Sequence, residues 1–389
     1  MESTIMRIVF VTTKFDFEIG GGSSPELDLK IRALKELGNE VIAVTTFSQN
    51  NRGPQPKDYP VFNEFIGTSG QFAISWGVYR VLKKYESKTD IFQVDGVLFL
   101  FGAGLYRLLG GRVPVLSHFN RELPWFPEAR SKVSHSLQGW LRFFVEKTLG
   151  VFLANHLDAF TFTSPLLHQA YNNFGLSEKK SFLTRDLLDG YAISKKEGIR
   201  SELQERRWET KEVFMILCSG RMVWEKGFDI VLKALDAVKD KEKLRLILSG
   251  DGPERGNLQK LARELKITDL VSFPGWVAKE KLLEFFREAD IFILPRWRPE
   301  LASMLLFEAM AFGIPSLVPA SSTLAWSAGE GAVTFRDQDH LDLAEKISKL
   351  IASGELRVEI SKRALRRIEE LHYSKPAKEL NDIMENICK

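Results

Sequence analysis

Two carboxylates with seven residues between them, Glu300 and Glu308, bracket the start of a predicted helix. The apolar runs Ile291–Pro295 and Ser316–Pro319 flank them, so the stretch reads strand, loop, helix, strand. At ~1.5 Å rise per residue, Glu308 falls about two helical turns beyond Glu300. Between the acids a helix N-terminus offers unpaired N–H groups and the positive end of a dipole, which suits phosphate. The backbone of Ala302, Ser303, Met304 and Leu305 would form that cradle, and Ser303 is a candidate cap for the helix. Carboxylates accept hydrogen bonds from hydroxyls. A ligand carrying phosphate, ribose and hexose, such as a nucleotide-sugar, needs both kinds of contact.

Two cations, Arg221 and Lys226, lie in Ser219–Gly227, after a predicted strand end and before a helix. Arginine offers a planar fork of donors and lysine a point charge. A third segment, Ser249-Gly250-Asp251-Gly252-Pro253, reads as a tight turn after another strand. Gly20-Gly21-Gly22 follows the first strand. Its backbone could approach a ligand closely, a flexible turn is the other reading, and its spacing is not a dinucleotide fingerprint.

These motifs together resemble the family 4 glycosyltransferases, which have the GT-B fold. The Glu300–Glu308 pair resembles the family's glutamate-x7-glutamate motif. Gly220-Arg221 followed by Lys226-Gly227 is similar to its glycine-arginine and lysine-glycine pairs, and Gly250–Pro253 to its Gly-x-Gly-Pro turn. The three occur in the family's order across roughly residues 212 to 335. The resemblance implies transfer of a hexose from a UDP- or GDP-sugar to a hydroxyl, with retention at the anomeric carbon and without a bound metal or cofactor. It implies that Glu308 accepts from the ribose hydroxyls and Glu300 from the donor sugar. Arg221 and Lys226 would stabilise the diphosphate leaving group. Gly20–Gly22 would meet the donor phosphate or the acceptor, and His118, placed at the end of a strand Val113–Ser117, the donor sugar. The backbone of Phe273–Val277, including Trp276 and Val277, would hold the base, with Lys279 beside it as a determinant of base choice. One departure stands out: Leu301-Ala302-Ser303 occupies the place where the family often has Gly-Phe-Gly. It leaves the sugar open. A nucleotide-sugar 2-epimerase on the same fold and a non-catalytic donor-binding partner remain alternatives.

Elements must position these residues. The first half alternates strands at Arg7–Thr12, Glu40–Thr45, Ile91–Val94, Val113–Ser117 and Ala159–Thr163 with helices at Glu26–Leu37, Ala73–Tyr85 and Ser134–His156. The second repeats the scheme, with strands at Val213–Ser219, Leu244–Ser249, Leu270–Phe273, Ile291–Pro295, Ser316–Pro319 and Ala332–Phe335. Alternation of this kind predicts an α/β protein with two Rossmann-like, doubly wound domains facing a cleft. The expected domains are 1–195 on the acceptor side, 196–372 for the nucleotide-sugar, and a last helix over 373–389 crossing back to the first. Pro376 marks the break before it.

The 389 residues suffice for two cores, with 44% hydrophobic and 27% charged residues. A net charge of +3 without basic stripes does not argue for nucleic acid. Two cysteines, Cys218 and Cys388, imply neither a metal cluster nor a disulfide framework, and six histidines show no ligand spacing. Asp337-Gln338-Asp339 has a cation-binding form, but it precedes a helix, and capping is the preferred reading. No secretion signal is evident, and the longest apolar run, Val97–Tyr106, is too short to span a bilayer. A cytoplasmic location is expected. The segment Leu105–Gly150 interleaves aromatics with Arg107, Arg112, Arg121, Arg130, Lys132, Arg142 and Lys147. That pattern suits peripheral contact with an anionic membrane and a lipid-linked acceptor; core packing of Trp140, Phe143, Phe144 and Leu149 is the competing reading.

Overall fold

The computed structural model describes residues 5–17, 23–66, 70–119, 143–185, 211–296 and 303–389. Gly20–Gly22, Glu300, Leu301, Ala302, the segment 120–142 and the expected boundary region 194–208 lie outside the described residues. The chain divides into two compact units, Met1–Leu187 with Tyr373–Lys389, and Leu188–His372.

The first unit is built on seven parallel strands: β1 (Arg7–Thr12), β2 (Glu40–Thr45), β3 (Val61–Asn63), β4 (Ile91–Asp95), β5 (Val115–Phe119), β6 (Ala159–Phe162) and β7 (Ser181–Leu183), in the order β3-β2-β1-β4-β5-β6-β7. Both faces are covered, so the central strands read as continuous apolar runs. Val9, Val11, Phe92, Val94, Val115 and Phe119 fill one face. Ile8, Phe10, Ile91 and Leu116 fill the other, against Ile31 and Leu34 of the helix Ser23–Glu36 and Leu380 and Met384 of the helix Ser374–Cys388. The last helix thus completes the first unit's core. Asn39 ties it down, donating to Asn381 Oδ1 at 2.7 Å while its own Oδ1 accepts from Met6 N–H. The chain breaks after Leu371, and Pro376 lies in the first turn of the final helix, where a missing N–H costs nothing.

The second unit has six parallel strands: β8 (Phe214–Ser219), β9 (Leu244–Ser249), β10 (Val271–Gly275), β11 (Ile291–Ile293), β12 (Ser316–Pro319) and β13 (Val333–Phe335), in the order β10-β9-β8-β11-β12-β13. Ile216 and Cys218 face one core and Leu217 the other, as a period of two requires. The order runs outward in opposite directions from β8 and β11, which pair through Ile291↔Ile216 and Phe292↔Leu217. The first unit reverses in the same way between β1 and β4. Such reversals leave a crevice at the carboxyl ends of the strands.

One expected strand shifts, and one apolar run gains an assignment. The strand placed at Val113–Ser117 is Val115–Phe119. Pro114 has no N–H to donate, so pairing starts beyond it, and Phe119 extends the strand because it packs on Phe160 and Phe162. The apolar run at Val97–Tyr106 belongs to a helix, Gly96–Leu108, that carries Phe99, Ala103 and Tyr106 into the core.

Candidate functional site

In the second unit, the loops after β8 and β11 meet at the reversal point. Gly227 makes the approach possible. It has φ 67°, and a Cβ there would lie 2.8 Å from Pro295 O. Arg221 and Lys226 therefore come beside Arg296, the residue that follows Pro295. Burial and the neighbouring charges of Arg296 and Arg221 lower the Lys226 ammonium to about 8. Three cations on two loops make a site that favours a multiply charged anion.

Two glycine turns support this one. Gly250 has φ 128°, and a Cβ there would come within 1.9 Å of Gly220 O. Gly220 N–H donates to Ser249 O at 3.0 Å, Met222 N–H to Asp251 O at 2.8 Å and Gly250 N–H to Gly275 O at 2.8 Å. The loops after β8, β9 and β10 are thus laced backbone to backbone. Gly220 and Gly250 allow that lacing, which is a structural reason for glycine at both positions.

Glu308 lies on the helix Met304–Ala311, whose residues are good helix formers and whose only charge is this one. The helix is buried, and Glu308 is 7% exposed. An ionised carboxylate inside an apolar helix needs a partner. Lys279 supplies one, with its Nζ on Glu308 Oε1. The other oxygen, Oε2, is buried and has no hydrogen-bond partner among the described residues. Ser303 is the N-cap residue of this helix, but its side chain makes no capping bond. Its carbonyl accepts from Leu306 and Phe307 N–H instead. Met304 is part-exposed, and Leu305 and Val277 pack against the core. Trp276 follows β10 with 77% of its surface exposed, a flat apolar face beside Lys279 in the chain.

Asp339 caps the helix His340–Ala352, accepting from Leu341 and Asp342 N–H, and Asp337 accepts from Ser321 N–H. Among the described residues no cluster of His, Cys, Asp or Glu could hold a metal ion.

His118 belongs to the first unit. It is the fourth residue of β5, not the residue after its strand, and is buried. Its Nε2 lies 3.1 Å from Lys30 Nζ and its Nδ1 3.0 Å from Thr161 Oγ1. An ammonium only donates, so Nε2 accepts and Nδ1–H donates to Thr161. Burial, then Lys30, holds His118 well below the usual histidine range, and the ring is neutral. Lys30 also approaches Glu26 at 3.6 Å. Burial raises Glu26, Lys30 opposes the rise, and Asp95 adds to it. Thr12 Oγ1 donates to Asp95 at 2.5 Å. Thr12, Asp95, His118 and Thr161 share one face of the sheet near its carboxyl end, across the β1–β4 reversal.

The structure thus brings Arg221 and Lys226 together and joins Glu308 to the segment after Trp276 through Lys279. Sequence reading overlooked Arg296 and the Glu26–Lys30–His118 cluster. Arg296 was findable: it follows β11 as Arg221 follows β8, on the opposite side of the reversal.

Residues 200–367 match the family model for Glycosyl transferases group 1. The lipopolysaccharide core biosynthesis glycosyltransferase LpsE of Rhizobium meliloti is 29% identical over 151 residues, 38% of this chain and 43% of that protein. A GDP-mannose-dependent alpha-(1-6)-phosphatidylinositol monomannoside mannosyltransferase of Mycobacterium tuberculosis is 28% identical over 246 residues, 61% of this chain and 59% of that protein. In neither case does the chain span two thirds of the relative's length. Among solved structures, Anabaena HepE in complex with UDP superposes with a TM-score of 0.73 at 17% identity, covering 98% of this chain and 100% of that one. The fold is GT-B, with two Rossmann-like domains and a final helix that returns to the first.

Proposed function

We propose that the chain is a glycosyltransferase that moves a hexose from a UDP- or GDP-sugar to a hydroxyl acceptor, with retention at the anomeric carbon, in the synthesis of a cell-surface polysaccharide or glycolipid. The observation that carries the reading is the cationic trio Arg221, Lys226 and Arg296 at the β8–β11 reversal, in the unit where a buried acid, Glu308, can accept from a ribose. The match to group 1 glycosyltransferases over 200–367 supports it, as does the UDP named in the HepE structure.

In this reading the three cations stabilise charge that develops on the departing diphosphate, a preorganised electrostatic role. The diphosphate oxygen takes the acceptor proton on the same face, so no side chain need act as base. Glu300, by the resemblance above, orients the donor sugar. The same cations do the work of a metal ion, so activity should persist in EDTA; full loss restored by manganese or magnesium would overturn this.

Acceptor chemistry belongs to the first unit. Phe144, Val145, Leu149 and Phe152 are exposed there, a surface suited to a lipid-linked acceptor and to peripheral membrane contact. Lys147 is not one of its outward cations, since its Nζ donates to Phe174 O at 2.8 Å. No helix among the described residues is long and apolar enough to cross a membrane.

The test is a thermal-shift panel of nucleotide-sugars. A ligand at about a hundredfold excess over Kd stabilises by ~2.7 kcal/mol. One UDP- or GDP-sugar should raise Tm well above the rest and then be consumed when acceptor extract is added. No shift with any member would overturn the reading.

A further inference from the structure

We infer that Lys279 reads the ribose of the bound nucleotide together with Glu308, the ion pair presenting a single ribose hydroxyl with a donor and an acceptor at once. The inference rests on the nucleotide reading above and concerns which residues recognise the ribose.

Three observations lead to it. First, Glu308 has one reachable oxygen. Oε2 is closed off from solvent, whereas Oε1 already holds the Lys279 ammonium. A hydroxyl that comes to this carboxylate arrives where Lys279 already is. Second, Lys279 is out of place by the rules of its own element. It is the first residue of the helix Lys279–Glu288, where a cation opposes the helix dipole, and Ala278 gives no side-chain cap to offset it. Its partner lies 29 positions away on another helix, so the placement answers to Glu308 and not to local helix chemistry. Third, its side chain is 52% exposed against 10% for Glu308. An ammonium carries three donors, and those not spent on Glu308 point towards solvent, where a ligand would come.

A hydroxyl both donates and accepts. Against Glu308 alone it could only donate. Against the pair it donates to Oε1 and accepts from Nζ, and the ammonium need only tilt. Lys279 then fixes which hydroxyl of the ribose is held and at what angle the base leaves it towards Trp276.

The experiment is calorimetric titration of the whole chain with UDP and GDP and with their 2′-deoxy and 3′-deoxy forms. Wild type should bind one base, and loss of one ribose hydroxyl should weaken binding about tenfold, the scale of a charge-assisted hydrogen bond. Lys279→Met keeps length and helix propensity but removes every donor. It should weaken the ribonucleotide about tenfold and leave the matching deoxynucleotide unchanged, so discrimination between them collapses. Lys279→Gln, whose neutral amide restores N–H donors without the charge, should recover part of it, and thermal unfolding of both variants controls for folding. Equal loss for ribo and deoxy forms would make Lys279 a mere long-range charge. Tighter ribonucleotide binding by Lys279→Met would make it an occupant that ribose must displace. Unchanged binding would remove it from recognition, and each of these three outcomes overturns the inference while leaving the nucleotide reading intact. If wild type binds neither UDP nor GDP, that reading falls and takes this one with it.

Discussion

Lys226 carries the clearest electrostatic signature of the anion site. Burial, Arg296 and Arg221 hold it at about 8, below an ordinary lysine. Its folded value is depressed, so the cost of keeping it charged in the empty protein is fully present below about pH 8. That cost is relieved as pH rises towards ~10.5, the unfolded value. A bound diphosphate reverses the balance, because an anion favours the ammonium. Nucleotide binding should therefore take up protons above pH 8, and affinity for the diphosphate should fall as pH climbs from 8 to 10. Titration calorimetry in two buffers of different ionisation enthalpy would show the uptake. Lys226→Met should lose that pH dependence and, with no ligand present, melt higher than wild type at pH 7. A variant whose affinity kept the wild-type slope would remove Lys226 from the phosphate site.

The scale of elements explains what could be read in advance and what could not. Central parallel strands announce themselves as unbroken apolar runs, and β1, β2, β9 and β12 fall where such runs predict. The edge strands β3 and β7 have three residues each, too few for a period to show, and only pairing to a neighbour defines them. The helix Gly96–Leu108 is apolar nearly all round and so has no amphipathic stripe to betray it. The break at Ser353, which caps the helix Gly354–Glu370 through Leu356 N–H, lacks the proline that marked the later one. At the site, charged residues beside glycines were legible as motifs. The Lys279–Glu308 pair was not, because it arises from two helices 29 positions apart that meet only in the fold. The glycines can be tested as elements rather than as residues. Gly250→Ala drives a Cβ into Gly220 O in a backbone region that alanine avoids, and should destabilise the second unit by about 2–4 kcal/mol. Gly256→Ala meets nothing within 4 Å inside the helix Arg255–Glu264, and should stabilise by up to ~1 kcal/mol. Denaturant midpoints compare the two; similar signs would show that the turn after β9 is not the tight lace described.

At the scale of the molecule, chain order and spatial membership disagree. The first unit holds residues from both ends, Met1–Leu187 and Tyr373–Lys389, with the second inserted between them. Removing residues 373–389 takes Leu380 and Met384 from a core that includes Met6, Ile8 and Phe10, and strips Asn39 of Asn381. Burying a side chain of that size is worth ~1.5–3 kcal/mol, so the loss should abolish or deeply lower the first unit's thermal transition. The transition of the second unit should stay near its wild-type temperature. Coincident loss of both transitions would mean the units do not melt separately.

The same returning helix bears on how the protein is born. Translation delivers the first unit's seven strands before its last helix exists. A nascent chain arrested before Ser374 has a complete second unit and a first one in which Phe10 of the sheet and Ile31 and Leu34 of the helix Ser23–Glu36 lack their cover. Domains fold as units during synthesis, generally N-terminal first. Here the first unit, begun before the second, cannot close until residues 374–388 have followed the whole of the second, and for that interval it depends on the ribosome's surroundings, or on a chaperone, to keep those side chains from other chains. Protease pulses on ribosome-bound chains of increasing length should show the second unit becoming resistant while the first is still open to cutting, and the first closing only once the helix Ser374–Cys388 has emerged.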